Sequence, residues 1–189
     1  MSPLGQGGLF LFQFIAGLLV FILILRVMLR AAYVDWRHPI VHFIAKITNP
    51  LCAPINKILP TRGRWDLNAL IVALIIEGLT AFIIGWLTHR DFSLMLIAVY
   101  SITELLNQIL DIMFWLIIIQ AVLSWVAQGY NPNTAIFYQL AEPILRPFQK
   151  VIPPIGGLDL SPIAAILVIK LLQIVVVGSI AQFGQGLVA

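Results

Sequence analysis

The sequence predicts an all-α membrane protein with four transmembrane helices in two parallel repeats, each repeat carrying a proline-rich amphipathic interfacial helix. Three observations predict it. The 189 residues are 61% hydrophobic and only 10% charged, and the mean hydropathy is +1.02, too apolar for a soluble domain of this length. Four stretches reach or approach the roughly 20 apolar residues that a bilayer core of about 30 Å demands. Finally, a shift of 93 residues superposes the punctuation of one half on the other. The first repeat is 1–91 and the second 92–189, each with two spans and an elbow between them.

The first span, 9–29, carries no charge before Arg26. The N-terminus has no basic region and no small-residue cleavage site follows, so the span reads as a retained helix and not a signal peptide. Arg26 lies near one end of the span and is expected to reach to the headgroups, or else to meet an anionic ligand.

The first elbow, "TNPLCAPINKILPTRGRWDLNA" at 48–69, is a worn copy of the second, "AEPILRPFQKVIPPIGGLDLSP" at 141–162. Pro50, Pro54 and Pro60 fall on Pro143, Pro147 and Pro153; Gly63 falls on Gly156 and Asp66 on Asp159. Ile44, Ile47, Leu51, Ile55 and Ile58 step as Phe137, Leu140, Ile144, Phe148 and Val151 do, which is one apolar stripe of a helix. Pro39 and Pro132 suit a first helical turn. Pro50 and Pro143 lack an N–H and are expected to kink or restart the helix. A glycine turn follows, and then a cap, Asp66 or Asn68 in one copy and Asp159 or Ser161 in the other. Each elbow therefore reads as a bent helix lying in the interface.

The second span, 67–88, carries only Glu77, and the fourth, 160–183, only Lys170. The two are equivalent under the shift and lie roughly 15 Å into their helices, near the midplane. If these helices met at the pseudo-axis, Glu77 and Lys170 would form an intramembrane charge pair, either a gate for ions or a structural clamp between the halves. The third apolar run, 92–127, holds Ser101, Glu104, Gln108 and Asp111 at steps of 3, 4 and 3. That is one polar helix face, which would line a hydrated path or stand solvated beyond the bilayer.

Nine of the eleven Lys and Arg residues lie in or beside the elbows. Lys46, Lys57, Arg62, Arg64, Arg146 and Lys150 give the elbows a cationic face suited to anionic lipid headgroups or an acidic partner. The positive-inside rule places the elbows in the cytoplasm and both termini outside, in a multi-pass membrane protein. Four spans are few for a transport path, so transport would imply a homo-oligomer; a scaffold would imply a membrane-protein partner.

Other chemistries find no footing. The single cysteine, Cys52, excludes an internal disulfide and a multi-thiolate metal site. His38 and His42 are too few for a metal site, so none is expected. Gly156-Gly157 is not followed by Lys-Ser/Thr and is no phosphate loop. The net charge of +3 and the lack of a basic patch interleaved with aromatics argue against nucleic acid. No cofactor fingerprint and no nucleophile–base spacing point to an enzyme.

The stretch "SWVAQGYNPNTAIFYQLAEPILRPFQKVIPPIGGLDLSP" resembles the signature of the YggT family of bacterial membrane proteins, which has relatives in cyanobacteria and chloroplasts. The likeness extends over both repeats. It is worn in the first, where "TRGRWDLN" stands for "PIGGLDLS" and Ala31 for Trp125. The resemblance implies a role in envelope organisation, division, osmotic-stress tolerance or ion homeostasis, and it carries no catalytic residue.

Overall fold

A computed structural model describes residues 3–59, 63–88, 93–126, 132–152 and 159–186. Every regular element among them is helical. The first half is α1 (Pro3–Ala31), α2 (Pro39–Ile58) and α3 (Leu67–Leu87). The second is α4 (Leu94–Val126), α5 (Pro132–Val151) and α6 (Ser161–Leu171), which runs through a π-helical segment (Leu172–Val177) into α7 (Gly178–Gly186). Four helical stretches are long and apolar enough to cross a membrane: α1, α3, α4 and the composite of α6, the π-segment and α7. Of the elbow residues, Pro60, Arg62, Pro153 and Gly156 lie outside the described residues.

α1 ends because Tyr33 turns left-handed, at φ 54°. The Val34 N–H then donates to the Leu29 carbonyl and the Tyr33 N–H to the Arg30 carbonyl, which closes the helix end. The first repeat has one residue more than the second near this turn: the elbows align at a shift of 93, but α1 aligns on α4 at 94, which sets Arg26 on Gln120 and Ala31 on Trp125. α2 follows with Pro39 as its first residue and His38 as its cap, His38 Nδ1 accepting from the Ile40 N–H.

The elbow helices run on through their prolines. Pro50 and Pro54 sit inside α2, and Pro143 and Pro147 inside α5, so neither Pro50 nor Pro143 restarts its helix. The packed face explains how: Val41, Ile44, Thr48 and Cys52 of α2 are buried, Ile136 and Leu140 of α5 join the core that α1 and α2 share with α4, and Ala141 and Leu145 are buried within the second half. That face is turned about one residue from the anticipated stripe, leaving Ile58 and Val151 strongly exposed.

α4 is one unbroken helix of 33 residues, roughly 50 Å long at 1.5 Å per residue. It sits at the centre of the bundle, with α3 on one side and α6, the π-segment and α7 on the other, while α3 also packs on α1. The approach to α7 is close: a Cβ at Gly184 would fall on the Val99 side chain. One buried cluster joins Val20, Leu23, Ile24 and Val27 of α1 to Val72 and Ala73 of α3 and to Leu105, Ile112 and Leu116 of α4. A smaller one joins Ile117, Ala141, Leu145, Ala165 and Ile169 within the second half.

Candidate functional site: two interhelical polar clusters

The first cluster is a clamp built around Arg26. The residue is 7% exposed and does not reach outward to headgroups, contrary to the sequence expectation. Its Nε donates to Asp66 Oδ2 at 2.9 Å, and its Nη1 to Thr48 Oγ1 at 2.8 Å and Asn49 Oδ1 at 2.7 Å. Arg30 adds a second guanidinium to Asp66 Oδ2 at 3.3 Å. A planar guanidinium with several donors suits this convergence, where a lysine would offer a point charge.

Asp66 is completely buried and has two tasks. It accepts both guanidinium contacts, and it caps α3 by accepting from the Ala69 N–H at 3.3 Å. The clamp thus ties the end of α1, the middle of α2 and the start of α3. Beside it, Asn68 donates to Asn56 and to the Leu59 carbonyl, which fastens the end of α2 to α3. Arg64 closes the outer edge: its Nε donates to the Ala31 carbonyl at 2.8 Å, and its guanidinium lies over Tyr33 and Trp65. Composition alone concealed the clamp, since Arg26 and Asp66 are 40 residues apart. The one signal was an arginine inside an apolar span.

The second repeat keeps the acid, Asp159, but not the arginines. Gln120 stands where Arg26 does, and Ser161 where Asn68 does. Gln120 Oε1 and Ser161 Oγ are buried with no hydrogen-bond partner among the described residues. Asp159 accepts from the Ser161 N–H at 2.9 Å and from Gln149 Nε2 at 3.1 Å.

The second cluster lies along α4. Glu77 and Lys170 do not pair with each other, because α3 and α6 both pack on α4 and not face to face. Glu77, 4% exposed, accepts from Gln108 Nε2 at 2.5 Å. Lys170 Nζ lies 3.6 Å from Asp111 Oδ1 and donates to Gln173 Oε1 at 2.8 Å. Gln173 Nε2 in turn donates to Asp111 Oδ1 at 2.8 Å, and Lys170 lies 4.4 Å above the Phe114 ring. The anticipated face of Ser101, Glu104, Gln108 and Asp111 is therefore spread along both seams of α4. Ser101 is buried, its Oγ donating to its own helix at Ile97, and it faces Gly78 of α3. Glu104 is half-buried between Ser101 and Gln108.

Lys46, Lys57, Arg146 and Lys150 are exposed on α2 and α5. Among the described residues no group of three or more His, Cys, Asp or Glu converges on a metal position.

A multi-pass helical membrane protein made of two like halves is the class this architecture defines. The profile of the CCB3/YggT family matches residues 6–87 and again 99–180, and the chain belongs to that family. It is 35% identical over 184 residues to an uncharacterized protein of Pseudomonas aeruginosa, covering 96% of this chain and 93% of the relative. It is 30% identical over 164 residues to the uncharacterized protein YggT of Escherichia coli K12, covering 87% and 86%. A protein of Vibrio alginolyticus is 37% identical over 155 residues, covering 80% and 83%. No solved structure matches.

Proposed function

We propose that the protein is a non-enzymatic scaffold or assembly factor of the bacterial inner membrane. In this reading the two elbow helices dock on anionic headgroups of the cytoplasmic leaflet and present a fixed surface to a membrane-protein partner. One observation carries it. α2 and α5 bury one side against the bundle and leave Lys46, Lys57, Arg146 and Lys150 exposed on the other, while Arg26 is withdrawn into the clamp that holds α2 in place. A rigid amphipathic helix with an exposed cationic side is suited to an anionic surface, each cation near it contributing about 1 kcal/mol. The clustering of Lys and Arg supports cytoplasmic elbows and external termini. Envelope organisation, division and osmotic-stress tolerance are the processes such a scaffold would serve.

The test is lipid selectivity. The purified protein is placed in nanodiscs of mixed anionic and zwitterionic phospholipid, and quenching of its tryptophans by brominated lipid of each class is compared. Enrichment of the anionic lipid that disappears in a Lys46→Gln/Lys57→Gln/Arg146→Gln/Lys150→Gln variant of unchanged helicity supports docking. Equal quenching by both classes in the wild type rejects it.

A second reading, a small oligomeric ion channel or transporter, is favoured by the polar chain Glu77–Gln108 and Asp111–Gln173–Lys170 at mid-depth. It requires potassium or sodium flux through liposomes that Glu77→Gln or Lys170→Gln abolishes in folded protein.

A further inference from the structure

We infer that the face of α4 centred on Asp111 and Trp115 is where a second copy of this chain docks, about a two-fold axis beside α4. Two independent features share that face. The first is a charge pair that does not belong against lipid: the side chains of Lys170 and Asp111 are 45% and 54% exposed, at a depth where hydrocarbon offers no hydrogen bonds. Polar groups at such depth face protein or water in folded membrane proteins, because lipid contact leaves their remaining valences unmet. The second is a cleft of about 490 Å³ between the halves, walled by α1, α2, α4 and α5. Gln108, Asp111, Ile112, Trp115, Leu116 and Ile119 form its α4 side. Trp115 is 59% exposed, a large side chain with no protein packed over most of it.

Asp111, Trp115, Ile119 and Val122 are exposed at steps of 4, 4 and 3 along α4, the spacing of a helix-packing seam. A lipid chain could fill the cleft, but it brings no charge to Asp111 or Lys170. A second copy brings both. The patch carries an acid and a base together, so under a two-fold rotation the Lys170 of one copy faces the Asp111 of the other, and the reverse. Self-complementarity of this kind favours a closed dimer. Trp115 of each copy then enters the apolar cleft of the other.

The experiment is cysteine cross-linking in native membranes, with Cys52 replaced by alanine. Ile119→Cys and Val122→Cys are the test positions; Leu79→Cys and Phe82→Cys, on the exposed side of α3, are the controls. Oxidation should convert most of the test variants to disulfide-linked dimer and leave the controls monomeric. A paired measurement separates intermolecular from intramolecular charge. Asp111→Lys and Lys170→Asp, each expressed alone, should cross-link at least fivefold less through Ile119→Cys. Co-expressed with different tags, they should recover the mixed dimer, since each then faces the opposite charge. Cross-linking no stronger at 119 and 122 than at 79 and 82 overturns the proposal and leaves the cleft to lipid. Strong cross-linking that neither single charge change reduces overturns the role given to Asp111 and Lys170.

Discussion

A buried arginine among apolar neighbours is stable only when its charge is met and its donors are occupied. Arg26 meets both conditions through Asp66, Thr48 and Asn49. Removing one member of such a set leaves the other charge uncompensated. Asp66→Asn is therefore expected to lower stability by about 3 kcal/mol in detergent unfolding, because two guanidinium groups lose their carboxylate and α3 keeps only an amide cap. Arg26→Gln copies the residue of the second repeat. It is expected to destabilise less when combined with Asp66→Asn than the two single costs would sum to, with a coupling of at least ~1 kcal/mol in a double-mutant cycle. Cys52 borders this clamp. Burial pushes its thiol pKa up, only partly offset by Arg26. A raised pKa leaves less thiolate at a given pH. Maleimide labelling of the folded protein should thus rise only at higher pH than for a free cysteine, and recover the ordinary profile after denaturation. Labelling at the ordinary pH in the folded state would contradict the packed position of Cys52.

At the scale of the element, the elbows show tertiary packing overriding local preference. Two prolines inside a helix each remove a backbone donor, at a cost of about 3 kcal/mol apiece in isolation. α2 and α5 remain continuous because their packed faces hold them. The periodicity of the stripe was legible, and so was the helix. Its rotation was not, since Thr48, Cys52 and Ala141 are buried by their neighbours' positions and not by their own hydrophobicity. The last span depends on a different feature, the near contact of Gly184 with Val99. Gly184→Val is expected to push α7 off α4 and lower stability by about 1–3 kcal/mol, the range for overpacking a close contact. The same change at Gly17, where a Cβ meets nothing, should be near neutral in a thermal melt.

For the whole molecule, α4 decides how the halves meet. The repeat alignment placed Glu77 and Lys170 at equivalent positions, and that equivalence invited a direct pair. Both helices instead dock on α4, so the two charges find separate amide and acid partners. Double-mutant cycles test this arrangement. Glu77 and Lys170 should couple by less than about 0.5 kcal/mol, whereas Glu77 and Gln108 should couple by more than ~1 kcal/mol. Strong coupling between Glu77 and Lys170 would restore the direct pair. The π-helical segment follows Lys170 and carries Gln173. Only coordinates reveal that local widening, because π-bulges leave no period in the sequence.

Hydropathy, proline spacing and the 93-residue echo by themselves determined that this is an all-helical membrane protein of two like halves with amphipathic elbows. Those properties are local and periodic: bilayer thickness sets span length, and helix geometry sets the stripe. Tertiary structure alone decided which polar groups meet. Arg26 with Asp66, Glu77 with Gln108, and Lys170 with Asp111 are contacts between helices far apart in the chain. They depend on which helix packs beside which, and the long central α4 set that order by lying between α3 and α6.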